Sequence, residues 1–462
     1  MTCFAARIRQ CFGFSVLCFF CLLSNAPAQT TPWQHEKIQN EPIFNGHFLL
    51  REAGRENADI LLLVHGLGPE AAAIWEPFVP KLASRFHVIA PDLPGFGRSA
   101  RANQLYSPTN YAQFIYWLLD RFPDKPVYLV GHSLGGAISL NVAAHYGERL
   151  ESLILIDSVG LLHRLAVSQH FVRDLIRFDL PFFSDALESQ LGRIAGLVLE
   201  KTSRVPLDPD LVLATAAARE KVLGGDPGQI AALALVQTDF TRLLSMVTIP
   251  TWLIWGEHDQ IAPLRIATIL DWNLTNSELK LLAGLGHVPM NEDSRRFSDM
   301  LWHALQNKPA SDNKTGLTTV TSAADATCDN ENGRVFRGEY ASLKIHQCKD
   351  VVITDARILH IHSVDSRVTI KRSIIGDHAE EQAIHSVRSQ MEMTGVDIYG
   401  NVGLLVDQSR LDLAGVRFID TPVAVSGQGN SSSLLFSSSR KIIDGESTSL
   451  HLSRSLNQGE HL

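Results

Sequence analysis

Three things are scarce in this chain of 462 residues, and each scarcity narrows what it does. Basic charge is the first. Forty-one lysines and arginines stand against 49 aspartates and glutamates, for a formal net charge of −8. No long basic run appears, so nucleic acid and anionic membrane surfaces are not expected partners, because such binding rests on neutralising phosphates. Cysteine is the second. Four of the six (Cys3, Cys11, Cys18 and Cys21) fall within the first 28 residues, leaving Cys328 and Cys348. No cluster of His or Cys at ligand spacing surrounds that pair. A disulfide in an oxidising compartment is therefore the natural reading, with a metal pair as the alternative. The third is apolar length: the stretch at 11–23 falls short of the ~20 residues an ordinary bilayer-spanning helix needs.

That stretch has another use. Arg7 and Arg9 form a short basic region ahead of it, and Ala26-Pro27-Ala28 fits the small-x-small pattern of a cleavage site before Gln29. Residues 1–28 read as a secretory signal peptide, with an uncleaved anchor as the alternative. The expected location is periplasmic or secreted, with no stable membrane span after cleavage. Removing the segment takes away two arginines and no acids, moving the formal charge from −8 to −10.

What is present suits two globular domains: 45% hydrophobic and 19% charged residues over a length too great for one ordinary domain. Short apolar runs, ILLLVHG (60–66), HVIAPD (87–92), VYLVGHS (127–133), SLILID (152–157) and TWLIWGEHD (251–259), alternate with helical patterns. Strands that stay apolar along their length are buried on both faces, as in a parallel sheet. Their carboxyl ends are where ligands bind, and the polar residues sit there. Residues 29–307 are read as this α/β domain. A helical stretch at about 160–240 interrupts it and is expected to cap the sheet and wall an apolar pocket.

Residues 308–325 are small and polar, suited to a linker. From 326 to 462 the texture changes. Apolar pairs two residues apart recur at Leu343/Ile345, Val368/Ile370, Met391/Met393, Leu411/Leu413 and Leu434/Phe436, with offsets of 25, 23, 20 and 23. Two further sets follow each pair. Three short alternating strands per period suit an all-β parallel β-helix, whose rungs bury their inward residues by stacking. Asp355, Asp365, Asp397 and Asp412 are read as its solvated surface rather than as a calcium loop.

The chemistry-bearing motif is Gly131-His132-Ser133-Leu134-Gly135, which follows an apolar strand and opens a helical run. It matches the G-x-S-x-G nucleophile elbow, a strained turn whose flanks tolerate only small residues. A serine hydroxyl needs a base to take its proton. Asp259, in GEHD (256–259), and His287, in GLGH (284–287), follow in the chain order that this turn calls for.

With HGLG (65–68), DLPGFGRS (92–99), GHSLGG (131–136), GEHDQIAP (256–263) and GHVPMNED (286–293), residues 43–307 resemble the α/β-hydrolase superfamily, in its cap-bearing esterase and carbon–carbon hydrolase branch. The resemblance implies Ser133 as nucleophile, His287 as general base and Asp259 as the acid that orients it. It also implies backbone N–H groups of Leu67 and Leu134 as the oxyanion hole, and neither a cofactor nor a metal. It says nothing of residues 326–462.

Neighbouring polar residues take structural readings. Asp157 is the weaker candidate for the acid, Asp92 fixes a turn, His65 shapes the oxyanion loop, and His132 and His258 belong to the scaffold. The expected activity is hydrolysis of carboxylic esters, with a small-molecule or lipid ester as substrate. Three alternatives stand beside it: carbon–carbon bond hydrolysis, a β-helix that holds a glycan while the hydrolase removes its ester groups, and an adhesive rod carrying a vestigial hydrolase. A peroxidase-type activity has no specific support.

Overall fold

The computed structural model describes residues 31–167, 208–310 and 323–462. The expected signal peptide at 1–28, much of the expected cap and most of the expected linker lie outside the described residues. Eight strands form the first sheet: β1 (His35–Glu41), β2 (Gly46–Ala53), β3 (Ile60–Val64), β4 (His87–Pro91), β5 (Val127–His132), β6 (Leu150–Ile156), β7 (Thr251–Gly256) and β8 (Ser277–Leu282), in the order β1-β2-β4-β3-β5-β6-β7-β8. β1 and β2 join antiparallel, and every pairing from β4 to β8 is parallel. The central strands β3, β4 and β7 are buried at every position. That is why their sequences run apolar instead of alternating: each face is covered by a helical layer.

Two clusters fill those layers. One gathers Phe48, Leu62, Phe114, Ile138 and Leu270 on one side of the sheet; the other gathers Trp75, Phe86, Ile154, Trp252 and Phe297. The helix Leu134–Tyr146 is buried along its first ten residues and packs against β5 and β6. Between β6 and β7, within the stretch expected to form a cap, the described residues contribute the helices Pro209–Ala214, Ala216–Leu223 and Pro227–Gln237. Each is capped by a side chain, Asp208, Thr215 or Asp226, that accepts from a first-turn N–H.

The second sheet holds fourteen strands, β9–β22, and residues 326–456 within it are all-β. Its ladders are parallel over most of its extent and follow the repeat. β11 (Val351–Val364), β12 (Arg367–Ile375), β14 (Gln390–Ile398), β16 (Arg410–Ala414) and β19 (Ser432–Ser437) stack with Val351, Val368, Met391, Leu411 and Leu434 in register. A second ladder aligns Ile375, Ile398 and Phe418. A third aligns Leu343, Ile361, Ile384, Leu404 and Val425. The first repeat is phased differently from the sequence expectation: Leu343/Ile345 belong to the third ladder, and Val351/Ile353 stand in the first, which β10 (Val335–His346) extends with Phe336 opposite Ile353. Alternation identifies inward residues but not the rung they join, and the 14-residue β11 serves more than one ladder. The last strands are antiparallel to their neighbours: β21 (Glu446–Leu450) pairs with β20 (Ser439–Ile443), and β22 (Ser453–Leu456) with β19.

Cys328 and Cys348 form a disulfide inside this β-domain, with Cα atoms 6.4 Å apart. It closes a loop across a sequence separation of 20, and a loop of that size contributes about 3 kcal/mol by limiting the unfolded chain. Replacing both cysteines by alanine is expected to lower stability by about that amount, read as a lower denaturation midpoint that no longer responds to reductant.

The β-domain is docked on the hydrolase sheet's helical layer rather than merely tethered. The helix Leu264–Asn273 lies against β14. Arg265 is the central contact. Its guanidinium donates to both carboxylate oxygens of Asp412 at 2.9 Å, to Thr394 Oγ1 at 2.9 Å and to the Met393 carbonyl at 3.1 Å. Asn273 Nδ2 donates to the Gly415 carbonyl, and Trp272 Nε1 to Asp397 Oδ1 at 2.9 Å. Two glycines of the β-domain make the close approach here. A Cβ on Gly395 would stand 2.9 Å from Trp272 Cβ, and one on Gly415 would stand 2.9 Å from Ile269 Cγ2. At the start of the expected cap, Ser438 Oγ donates to the Leu161 carbonyl at 2.6 Å, and Ser437 Oγ accepts from His163 N–H at 2.9 Å. The expectation that Asp397 and Asp412 are solvated is therefore corrected: Asp397 is 1% exposed, and both acids face hydrolase-domain donors across the seam.

Candidate active site

Sequence decides the local geometry at the end of β5. Gly131 and Gly135 leave no room for a side chain. A Cβ at 131 would lie 2.3 Å from the Gly135 carbonyl, and one at 135 would lie 2.2 Å from the Val64 carbonyl. Between them Ser133 takes φ 54° and ψ −119°, a conformation side-chain-bearing residues rarely adopt. The strain is held by Ser133 N–H donating to the Ile156 carbonyl and by the Ser133 carbonyl accepting from Gly136 and Ala137. Ser133 Oγ makes no capping bond to the helix that follows. Leu134 is the first residue of that helix, so its N–H has no intrahelical acceptor.

Three residues far apart in sequence meet at that point. Ser133 Oγ lies 2.9 Å from His287 Nε2, and His287 Nδ1 lies 2.8 Å from Asp259 Oδ2. The Ser133 and Asp259 residues are 2% and 5% exposed, and His287 is fully buried. Asp259 sits after β7, where its Oδ1 accepts from the backbone N–H groups of Ile261 and Ala262, each at 2.8 Å. These two bonds leave Oδ2 to the imidazole. His287 follows β8, and its own carbonyl is bonded to His132 Nε2 at 2.8 Å.

The nearby residues sort by environment. Burial, reinforced by the neighbouring His287, pushes His132 down to about 3, so it stays neutral and donates its Nε2–H to the His287 carbonyl. His65 is likewise held below the usual imidazole range by burial. Its Nδ1–H donates to the Gly66 carbonyl at 2.7 Å, and its Nε2 accepts from Leu93 N–H at 2.9 Å. It thereby ties the loop carrying Leu67 to the turn after β4. Asp92 fixes that turn by accepting from Ala72 and Arg98 N–H and by pairing with the buried Arg51. The buried Arg51 was not evident from sequence, because nothing local marks a cation whose partner lies 41 positions away. His258 is exposed and takes no part.

Asp157, the weaker candidate for the acid, does not reach the imidazole. It closes β6 with φ 43°, and its Oδ1 accepts from Gly256 N–H at 2.8 Å. Burial first, and the adjacent Asp259 carboxylate second, push its carboxyl well above the ordinary value of 3.8, which favours its protonated form. A carboxyl raised on folding contributes stability that is complete below its unfolded pKa and is lost as pH rises above it. Asp157→Asn, which keeps the shape and carries no charge, removes that dependence. Urea midpoints of the variant and the parent are expected to diverge in the variant's favour from about pH 4 upward. A pH-independent difference would refute the protonated assignment.

Comparison with known proteins agrees with the fold of this part of the chain. Residues 59–293 match the alpha/beta hydrolase fold family, and the chain belongs to that family. The uncharacterized hydrolase YugF of Bacillus subtilis is 30% identical over 280 residues, spanning 58% of this chain and 96% of that protein. The 2-hydroxymuconate semialdehyde hydrolase of Pseudomonas sp. CF600 is 27% identical over 258 residues, spanning 52% and 84%. The pimeloyl-[acyl-carrier protein] methyl ester esterase of Legionella pneumophila is 28% identical over 245 residues, spanning 52% and 92%. The family match ends at residue 293, ahead of the β-domain.

Proposed function

We propose that the chain is an exported serine hydrolase that cleaves carboxylic esters through an acyl-enzyme. The observation that carries this reading is the continuous relay from Ser133 Oγ through His287 to Asp259, at 2.9 and 2.8 Å. Ser133 Oγ attacks the ester carbonyl carbon while His287 Nε2 takes its proton. Asp259 holds the Nδ1–H tautomer and stabilises the imidazolium. The backbone N–H groups of Leu134 and Leu67 donate to the oxyanion, each such donor being worth roughly 3–4 kcal/mol of barrier. The imidazolium then returns the proton to the departing alkoxide. Water, activated by the same imidazole, releases the acid.

Export rests on the leader pattern at 1–28 and suits the Cys328–Cys348 disulfide, since such bonds persist in oxidising compartments. The parallel, in-register ladders of the β-domain support its reading as a parallel β-helix. A second reading, carbon–carbon bond hydrolysis of a vinylogous diketone, is favoured by the likeness to the 2-hydroxymuconate semialdehyde hydrolase. It uses the same relay.

The test is covalent capture. A fluorophosphonate probe is expected to add one adduct mass to the intact protein and to place it on the peptide carrying Ser133, with aryl acetate turnover lost in parallel. Labelling elsewhere, or full turnover by the labelled protein, would overturn the assignment. Turnover of a vinylogous diketone but of no ester in a chain-length series would favour the second reading.

A further inference from the structure

Outside the active site, the β-domain carries an uncommon row of buried charge. One register position runs through Arg357 on β11, Ile374 on β12, Asp397 on β14, Arg417 on β17 (Arg417–Ile419) and Arg440 on β20 (Ser439–Ile443). All three arginines are more than nine-tenths buried, with exposures of 7%, 8% and 6% in that order. Guanidinium stays charged under any ordinary condition, so each needs a counter-charge or a full set of acceptors.

Arg417 has its counter-charge. Its Nε and Nη2 donate to Oδ1 and Oδ2 of Asp397 at 2.6 and 2.7 Å, and the same carboxylate also accepts from Trp272 Nε1. Asp397 is thereby engaged on both oxygens. Arg440, the next strand's in-register neighbour of Arg417, has no bonded counter-charge among the described residues; the carboxylate that attracts it, Asp397, is the one Arg417 holds. The Nε of Arg440 is buried without an acceptor, and burial together with the adjacent Arg417 cation lowers its pKa to about 10. Two guanidinium groups thus lie side by side on neighbouring strands, about 4.8 Å apart in backbone, against one carboxylate that is already spoken for. The surplus charge stands at the edge of the domain seam, since Arg417 also lies 6.0 Å over the Trp272 ring.

We propose that Arg440, with Arg417 beside it, forms a binding site for one oxyanion group, a carboxylate or a phosphate, at the junction of the β-domain and the hydrolase domain. A planar or tetrahedral oxyanion fits because the guanidinium of Arg440 can present paired N–H donors to such oxygens while the adjacent Arg417 cation adds its charge, and the low dielectric strengthens each charge-assisted bond. Arg357 shares the feature of unbonded buried nitrogens. It lies four strand steps away from Arg440, on the order of 19 Å, in register with Glu339, and is not part of the site.

The experiment uses the full mature chain and reads thermal midpoint against anion concentration at constant ionic strength, with chloride as the balancing ion. Inorganic phosphate and a carboxylate-bearing oligosaccharide, trigalacturonate, form separate arms that distinguish a free ion from an acidic glycan. A saturable rise in midpoint in either arm is expected for the parent protein. Arg440→Gln should lose it, with apparent affinity down roughly tenfold or more, as expected for one charge-assisted contact. Without added anion, Arg440→Gln should melt at or above the parent midpoint, because an unpaired buried charge has been removed. An arginine that merely packs, or that water satisfies, predicts the opposite: a lower midpoint in the variant and no difference in anion response. Arg357→Gln should keep the parent's response. Equal responses of the parent and Arg440→Gln in both arms, or no saturable rise in either, would overturn the proposal, and neither outcome depends on the hydrolase activity.

Discussion

Ser133→Ala is expected to lower ester turnover by roughly 10⁴- to 10⁶-fold while leaving the fold in place. The two halves of that expectation have different origins. On the proposed mechanism turnover falls because the hydroxyl held 2.9 Å from His287 Nε2 is the attacking atom. The fold survives because the elbow is built from backbone and glycine: the hydrogen bonds from Ser133 N–H and to its carbonyl, and the close approaches at Gly131 and Gly135, are unchanged by losing Oγ. Alanine at φ 54° is no more strained than serine there. Initial rates on an aryl acetate, set beside the thermal midpoint, check both halves. Retained turnover at an unchanged midpoint would exclude Ser133 as the nucleophile.

Asp259→Asn should cost about 10⁴-fold in kcat with little change in KM, for a more specific reason than lost charge. The Ile261 and Ala262 N–H groups require an acceptor at the Oδ1 position, so the asparagine oxygen takes that place. Its NH₂ then faces His287 Nδ1, where it can only donate. The imidazole is forced to accept at Nδ1 and to carry its proton on Nε2, toward Ser133, where it cannot act as a base. Stability should change little, since the amide keeps the shape and the backbone bonds. A large rise in KM with kcat preserved would show that Asp259 serves substrate binding and not the histidine.

Much of the hydrolase part was legible in the sequence because its information is local. A strand buried on both faces must be apolar throughout, so β3, β5 and β7 announce themselves. The elbow has a fixed spacing, and chain order then narrows the candidate acid and base to the residues after β7 and β8. The acid was harder. Asp157 and Asp259 both end apolar strands, and only the three-dimensional placement of the imidazole separates them: one carboxylate bonds it, and the other is pushed toward its protonated form.

The seam between the domains was not legible, and the reason is physical. An aspartate at a strand corner has the same local sequence whether water or an arginine 147 positions away solvates it, as Asp412 and Arg265 show. Asp397 is similar: its pairing with Arg417 follows the 20-residue repeat, but its burial under Trp272 depends on a helix from the other domain. The repeat itself was visible, whereas the phase of its first rung was not, because the long β11 passes through more than one ladder.

The close approaches at Gly395 and Gly415 bear on how the molecule comes into being. Ribosomes deliver the hydrolase portion first, with Ile269, Trp272 and the Arg265 cation uncovered until strands more than a hundred positions downstream have been made and threaded into place. During that interval the nascent chain displays a sticky, charged patch that only its own last third can hide, so its vulnerability to aggregation and to proteases is set by the pace at which the C-terminal part arrives.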